Sequence, residues 1–391
     1  MKIESVDFFY LSMPEVLDIG DGSQDALLVR ISAGGYEGWG ECEASPLTSI
    51  ASYVCPMSHS ACKPLHDALK NAQIEAVSDI ERISRFVHEQ SFDLLQADHT
   101  LSGIDIALWD LLGKMRNEPV YRLLGYPKSF PKIPYASQLF GESPEETFEK
   151  ARKTTDAGYK AVKFGWGPFG KTSLAHDLAQ LKAAREGLGH DLRLMIDAGT
   201  VWKENSNDAR ERLDALKEVN AYWLEEPFTN GALEAYHSLA NSKPFIPLAA
   251  GEGCNNFIQA QAMMKHGGLK FIQIDAGRIG GISAAKKVAD LTQQMGIAYV
   301  NHTFTSDLAL SASIQPYAGI EKDQICEYPV ELKPLAKEIS KTKIVPDNDG
   351  LIQVPDKPGL GIDVNTMALR KYLVDVEIRV KGNLIYSTPE L

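Results

Sequence analysis

The chain has 391 residues, 44% hydrophobic and 24% charged, enough for one large domain with a smaller one beside it. A formal net charge of −12 argues against nucleic acid or an anionic membrane as the main partner, without excluding an anionic small molecule in a local basic or metal-bearing pocket. No apolar run reaches the roughly 18 residues of a membrane span, and five scattered cysteines fit free thiols in a reducing cytoplasm rather than a disulfide framework.

The opening "MKIESVDFFYLSMPEV" lacks the apolar core of a signal peptide and reads as a strand. Residues 1–45 predict three antiparallel strands, two of them in "ALLVRISAGGYEGWGECE" around a Gly-Gly turn. Two turn-rich segments, "PEVLDIGDGSQDA" (14–26) and "CEASPLTSIASYVCPMSHSACK" (42–63), read as long loops. Within the second, Cys55, His59, Cys62 and His66 are residue types that bind zinc, at a spacing that matches none of the usual fingers. A loop entering a helix is the plainer expectation there. Residues 60–116 read as helices. The strongest is "LSGIDIALWDLLGKM", with Ile104, Ala107, Leu108, Leu111 and Leu112 on one face.

From about residue 134, short apolar runs alternate with helical segments. Eight such runs, from "IPYASQLF" (133–140) to "QICEYP" (324–329), start at intervals of 25 to 31 residues. This predicts an α/β fold, a (β/α)7β TIM-like barrel of parallel strands. An open doubly wound sheet is the alternative. It would usually carry a Gly-rich phosphate loop after its first strand, and "QLFGESPEET" is not one. The expected organisation is an α+β cap over 1–125, the barrel over 126–350, and a segment 351–391 that returns to the cap. The hairpin "LVDVEIRVKGNLIYS" would pair with the N-terminal sheet.

In such barrels the chemistry sits at the C-terminal ends of the strands. Successive runs end on Lys163, Asp197, Glu225, Glu252, Asp275, His302 and Glu327. Asp197, Glu225 and Glu252 would repel one another if left bare, and a hard divalent cation such as Mg²⁺ resolves the conflict with oxygen ligands. Separate salt bridges are the alternative. Glu226 faces the other way by the strand period of two and stays out of this set. Asp275, one strand before His302, would orient the imidazole and raise its basicity. A metal facing a histidine base suits abstraction of a proton next to a carboxylate, with electrostatic stabilisation of the resulting enediolate. Lys163 would pair with the substrate carboxylate, and Glu327, if protonated, would donate to the developing oxyanion.

With these positions go longer pieces: "SGIDIALWDLLGK" (102–114), "PVYRLLG" (119–125), "MIDAGTVW", "WLEEP", "IDAGRIGG", "NH", "CEYP" and "PGLGID" (358–363). Together they resemble the enolase superfamily and, within it, the mandelate racemase subgroup. The resemblance implies that Asp197, Glu225 and Glu252 are the metal ligands, that Asp275 and His302 are the catalytic dyad, and that Glu327 is the eighth-strand carboxylate. Arg278, in "GRIGG", matches a basic residue often found near the end of the sixth strand, for which an ion pair with a neighbouring carboxylate is the alternative. Family members often assemble as symmetric oligomers, so a homo-oligomer is expected.

Two departures carry information. Many subgroup members have Lys-x-Lys on the second strand, the second lysine being a base on the face opposite the histidine. Here the stretch is Lys163-Phe164-Gly165, leaving room for a substrate chain or for Trp166 to fold inward. An Asn often found two residues after the third-strand Asp is Gly199. A single histidine can abstract a proton and return it to a leaving β-hydroxide from the same face. The expectation is therefore a sugar-acid dehydratase acting on an aldonate or aldarate. A racemase or epimerase with a tyrosine or cysteine as second base is the runner-up, and a non-catalytic sugar-acid binding protein is the third reading. Asp21, Ser23, Ser45, Tyr53 and His59, in the two cap loops, are candidates for recognising substrate hydroxyls.

Overall fold

The computed structural model describes residues 1–18, 24–43, 45–242 and 245–391. Strands β1 (Ser5–Leu11), β2 (Ala26–Ala33) and β3 (Tyr36–Cys42) form an antiparallel sheet in the order β1-β2-β3. Gly34 and Gly35 make the β2–β3 turn with φ of +57° and +81°, which side chains with a Cβ adopt poorly. Helices α1 (Pro46–Val54), α2 (His66–Leu69), α3 (Val77–Gln90), α4 (Ala97–Arg116) and α5 (Val120–Leu123) follow. Helix α1 lies inside the stretch 42–63 that read as a loop. Its start is explicable: Pro46 sits at the first turn, where its missing N–H costs nothing, and Ile50 and Tyr53 are buried.

Helix α4 is buried without interruption from Thr100 to Gly113. One side meets the cap sheet and another meets the barrel, so the single apolar face read from the sequence understates its burial. The contact with β3 is backbone to backbone. A Cβ at Gly40 would stand 2.2 Å from the Gly103 carbonyl oxygen and 2.8 Å from the Ala107 nitrogen.

The barrel strands are β4 (Ile133–Leu139), β5 (Ala161–Gly165), β6 (Arg193–Asp197), β7 (Ala221–Glu225), β8 (Leu248–Ala250), β9 (Phe271–Asp275), β10 (Ala298–His302) and β11 (Ile325–Pro329). They run parallel in the order β10-β9-β8-β7-β6-β5-β4-β11. Among the described residues seven helices connect them: α6 (Pro144–Asp156), α7 (Leu174–Leu188), α8 (Ser206–Glu218), α9 (Leu233–Asn241), α10 (Phe257–His266), α11 (Ile282–Met295) and α12 (Asp307–Ile314). The eighth strand pairs with the first, as a closed barrel requires. Among the described residues no ladder joins β10 to β11. The Asn301 side chain bridges that seam, accepting from the Glu327 N–H at 2.9 Å and donating to the Glu327 carbonyl at 3.3 Å. Inside, Tyr135, Ala161, Met195, Trp223, Ala249, Val300 and Ile325 form a packed layer. The barrel is therefore filled below its mouth rather than hollow.

Helices α13 (Pro334–Glu338) and α14 (Thr366–Leu369) precede the hairpin β12 (Glu377–Val380) and β13 (Asn383–Ser387). The hairpin is a separate two-stranded sheet and does not join the N-terminal one. Residues 372–374 reach the open edge of β1 first, with Ser12 N–H to Tyr372 O at 2.8 Å and Val374 N–H to Tyr10 O at 2.9 Å. The hairpin lies beyond that edge and touches the cap through its side chains, as in Tyr386 Oη to Phe8 O at 2.7 Å. Among the described residues no helix is long and apolar enough to cross a membrane.

The Gly40 contact leaves no room for a methyl group. Gly40→Ala is expected to lower stability by at least about 1–3 kcal/mol, the usual range for overpacking, read as a fall in the urea midpoint. An unchanged midpoint would contradict this packing.

Candidate active site

Inward positions alternate along each barrel strand. Asp197, Glu225, Asp275 and His302 are the last residues of β6, β7, β9 and β10. Lys163 lies one inward step lower on β5, Glu327 lies within β11, and Glu252 stands two residues past β8. All seven are buried at one mouth of the barrel.

Lys163 is the centre of the deeper half. Its Nζ lies 2.5 Å from Glu225 Oε1, 2.8 Å from Glu327 Oε1 and 3.6 Å from Asp197 Oδ2. Trp223 Nε1 donates to the other Glu225 oxygen at 2.9 Å. Burial alone would discharge a lysine, but Glu225 and Glu327 overcome it and hold the ammonium well above its ordinary range. In return, burial pushes the Glu327 carboxyl up while Lys163 and His302 bring it below its usual value. Lys163 and His302 thus favour the ionised form of Glu327, whereas the donor role read from the sequence requires the protonated form.

The shallower half is the imidazole. His302 Nδ1 lies 2.7 Å from Asp275 Oδ2, and its Nε2 lies 3.2 Å from Glu252 Oε2 and 3.9 Å from Glu327 Oε2. The Gly277 N–H holds the second Asp275 oxygen at 2.6 Å. Burial disfavours the imidazolium, but Glu252, Glu327 and Asp275 outweigh it and raise the ring to about 10.

Asp197 and Glu225 are both pushed up, first by burial, and Lys163 only partly offsets this because neighbouring carboxylates add to it. Glu226 joins them. The period-two reading turned it away from the site, but its φ of +39° bends the chain just past the end of β7. Its buried carboxyl is driven well above the usual range by burial and by the charges of Glu252, Asp197 and Glu225. The mouth therefore holds more negative charge than its cations balance. An oxygen-only donor set with surplus charge suits a hard divalent cation. The three expected ligands do not crowd together, since Glu225 is drawn inward to Lys163. Among the described residues, the trio whose ligand atoms lie within 4.8 Å of one another is His59, Cys62 and Asp93, on the cap.

Above the mouth lie two adjoining cavities of about 350 and 500 Å³. The inner one reaches His302, Glu252, Trp166 and Phe304, the outer one Asp25, Ser45, His99 and Asn255, and Val16, Gln24, Glu43 and Arg278 line both. Arg278 ion-pairs with Glu43 through Nε and Oε2, and its Nη1 lies 3.5 Å from Glu252 Oε1. Gln24 Nε2 donates to the other Glu43 oxygen at 3.0 Å.

Of the cap candidates, Ser45 lines the outer cavity. Tyr53 does not approach the site: it is buried in the cap with its ring 4.6 Å from that of Phe8, because α1 turns it into the sheet. His59 is exposed beside Asp93 at 3.5 Å, and Ala61 N–H caps its Nδ1. The cysteine and histidine run does not converge as a set of four, since Cys55 donates to Ser52 O and His66 pairs with Asp67. Asp21 and Ser23 lie outside the described residues.

Two family models match the chain. The "Mandelate racemase / muconate lactonizing enzyme, N-terminal domain" covers residues 12–125, and the "Enolase C-terminal domain-like" model covers 146–368. The chain belongs to the mandelate racemase and muconate lactonizing enzyme family of the enolase superfamily. A predicted mandelate racemase from Rhodobacter sphaeroides superposes with a TM-score of 0.95 at 55% identity over 99% of both chains. An arabinonate dehydratase from Saccharolobus solfataricus is 28% identical over 70% of this chain and 71% of its own length. A D-galactarolactone cycloisomerase from Agrobacterium fabrum is 29% identical over 86% of this chain and 88% of its own. Named sugar-acid dehydratases recur among the curated relatives.

Against the family pattern, both glycine departures have a steric reason. A Cβ at Gly165 would stand 2.7 Å from Asp197 Oδ2, so Asp197, not a substrate chain or Trp166, occupies the space beside it. Trp166, with φ of +54°, lies instead over Gly199, where a Cβ would come 2.9 Å from its ring. Besides Glu226, the residues that sequence reasoning missed come from the cap. Glu41 and Glu43 stand two apart on and just after β3, on the face opposite Gly38, Gly40 and Cys42. The alternation in "GWGECE" was the available signal. Glu43 holds Arg278, and Glu41 accepts from Ser306 Oγ, in the loop after His302.

Burial, partly offset by Ser306 and Thr305, pushes the Glu41 carboxyl up to about 7. A carboxyl raised this way favours the fold below its unfolded value near 4.5 and loses that advantage as pH rises through 7. Glu41→Gln is expected to remove this loss. The unfolding free energy of wild type should fall relative to the variant by on the order of 3 kcal/mol between pH 5 and pH 8. Parallel pH profiles would contradict the shift.

Proposed function

We propose that the protein is a Mg²⁺-dependent dehydratase of a sugar acid, an aldonate or aldarate, yielding the 2-keto-3-deoxy acid. The observation that carries this reading is one-sided base chemistry. The oriented His302 lines the inner cavity, and among the described residues lining it there is no lysine, tyrosine or cysteine to serve as a second base. The sugar-acid dehydratases among the relatives support it as well.

In this reading Asp197, Glu225 and Glu252 would hold Mg²⁺, which the charge surplus at the mouth fits. When bound, the cation supplies electrostatic stabilisation of the negative charge that grows on the substrate carboxylate. His302 Nε2 takes the α-proton while Asp275 keeps Nδ1 protonated and the ring aimed. The C–H electron pair becomes the enediolate, whose charge Lys163, one inward step below the mouth, would help to stabilise. As the enediolate collapses, the β-carbon–oxygen bond breaks, and the proton on Nε2 leaves with the hydroxide as water. The enol then takes a solvent proton at carbon 3 and releases its hydroxyl proton to solvent, giving the keto acid. Were Glu252 to hold a cation, its charge would favour the His302 imidazolium less, and the neutral imidazole is the form that acts as base. Arg278 and Trp166 would bound the substrate, with Ser45 further out.

A racemase is the second reading, kept because the Rhodobacter structure carries that name. The test is a screen of mono- and di-acid sugars with Mg²⁺, detecting 2-keto acids with semicarbazide. The expected result is a keto-acid product whose formation falls by about 10²–10⁴-fold or more in His302→Asn. Exchange of the α-proton for deuterium with inversion and no elimination would replace the dehydratase by an epimerase.

A further inference from the structure

We propose that the far end of the substrate carries no charge, so that the site takes a polyhydroxy monoacid and discriminates against the matching diacid. This rests on the sugar-acid reading above and narrows it. The groove leads from His302 and Glu252 through Glu43 and Arg278 to the outer cavity. A diacid would have to place its second carboxylate along that path. The lining residues that can carry positive charge are His302, His99 and Arg278, and burial and the nearby Arg278 hold His99 toward its neutral form, which leaves Arg278 as the cation along the path to the outer cavity.

Arg278 is already committed through two of its three nitrogens, so its charge is largely spent on its own carboxylates. Its Nε is on Glu43, and its Nη1 lies 3.4 Å from the Glu252 carbonyl and 3.5 Å from a Glu252 carboxylate oxygen. Glu43 is fixed in turn, since Gln24 holds its second oxygen. Asp18 lines the inner cavity and Asp25 the outer. Asp25 is locked as an acceptor by Tyr10 Oη at 2.6 Å and Met13 N–H at 2.7 Å. A distal carboxylate would meet three carboxylates and one guanidinium already shared between two of its own partners. Like charges facing one another across a half-buried wall are strongly discriminating. Hydroxyl groups fit the same wall: the carboxylates accept from them, and Ser45 and Asn255 offer neutral partners.

The experiment uses pairs of sugar acids of identical configuration, one ending in hydroxymethyl and one in carboxylate, with the Mg²⁺-loaded protein. Keto-acid formation and α-deuterium exchange are followed together for wild type, Glu43→Gln and Asp18→Asn. Wild type is expected to favour the monoacid of its best pair by at least about tenfold in kcat/KM. Glu43→Gln releases Arg278, and Asp18→Asn removes a repelling charge. Each should shift the ratio toward the diacid, Glu43→Gln most, and the second variant decides the matter if the first does not fold. A wild-type preference for the diacid, or a ratio that neither variant moves, would overturn the proposal. So would a stronger response to an acid ending in an ammonium group. Exchange without elimination would refute the dehydratase reading alone, because the exchange rates still rank the pair. If neither reaction occurs with any acid, the pairs are ranked by the rise in melting temperature they give, and a larger rise with the diacid counts against the proposal.

Discussion

Everything at the mouth of this barrel is arranged around a charge imbalance. One ammonium, Lys163, sits among carboxylates taken out of water, with Glu225 and Glu327 within 2.8 Å of it. A buried carboxylate without a partner either takes up a proton or attracts a cation. Asp197, Glu225 and Glu226 are all pushed toward the protonated form, so the protein's own cations do not suffice. That imbalance is what a bound divalent cation would relieve. It also explains why the His302 ring, with Glu252 3.2 Å from its Nε2, is drawn toward the charged form.

The cap completes the site rather than merely covering it. Helix α4 inserts Ser102 and Asp105 against the loop that follows Asp275. Ser102 accepts from Gly280 N–H at 2.8 Å, and Asp105 from Ser283 N–H and Oγ at 3.0 and 2.5 Å. Gly281 is required there, since a Cβ would stand 2.3 Å from Asp105 Oδ1. The segments "SGID" and "GRIGG" are therefore two halves of one joint. Beside it, Glu43 N–H donates to Gly277 O at 3.1 Å, and the Glu43 side chain takes Arg278. The strand that packs its glycines on α4 thus delivers carboxylates to the barrel from its other face.

The barrel was legible because its period is long and its strand ends are chemically odd. Eight apolar runs at near-regular spacing admit few folds, and an ionisable residue at the end of seven of them is not what packing requires. Glu226 escaped because alternation holds only while the strand lasts, and the chain bends at a positive φ just past β7. Tyr53 and His59 were misplaced because a stretch rich in Ser and Pro concealed helix α1, which buries the one and carries the chain on to an exposed turn at the other. The C-terminal hairpin was recognisable as a hairpin. Its separation from the cap sheet was not, since that depends on residues 372–374 reaching the edge of β1 first. Gly165 looked like vacated space in one dimension. Only the neighbouring strand reveals that Asp197 fills it.

The most direct test of the charge account is a calorimetric titration of Mg²⁺ into the metal-free protein. The account predicts one Mg²⁺ per chain, lost or strongly weakened in Asp197→Asn and in Glu252→Gln and retained in His302→Asn. Absence of Mg²⁺ binding, or binding indifferent to both carboxylate substitutions, would contradict it.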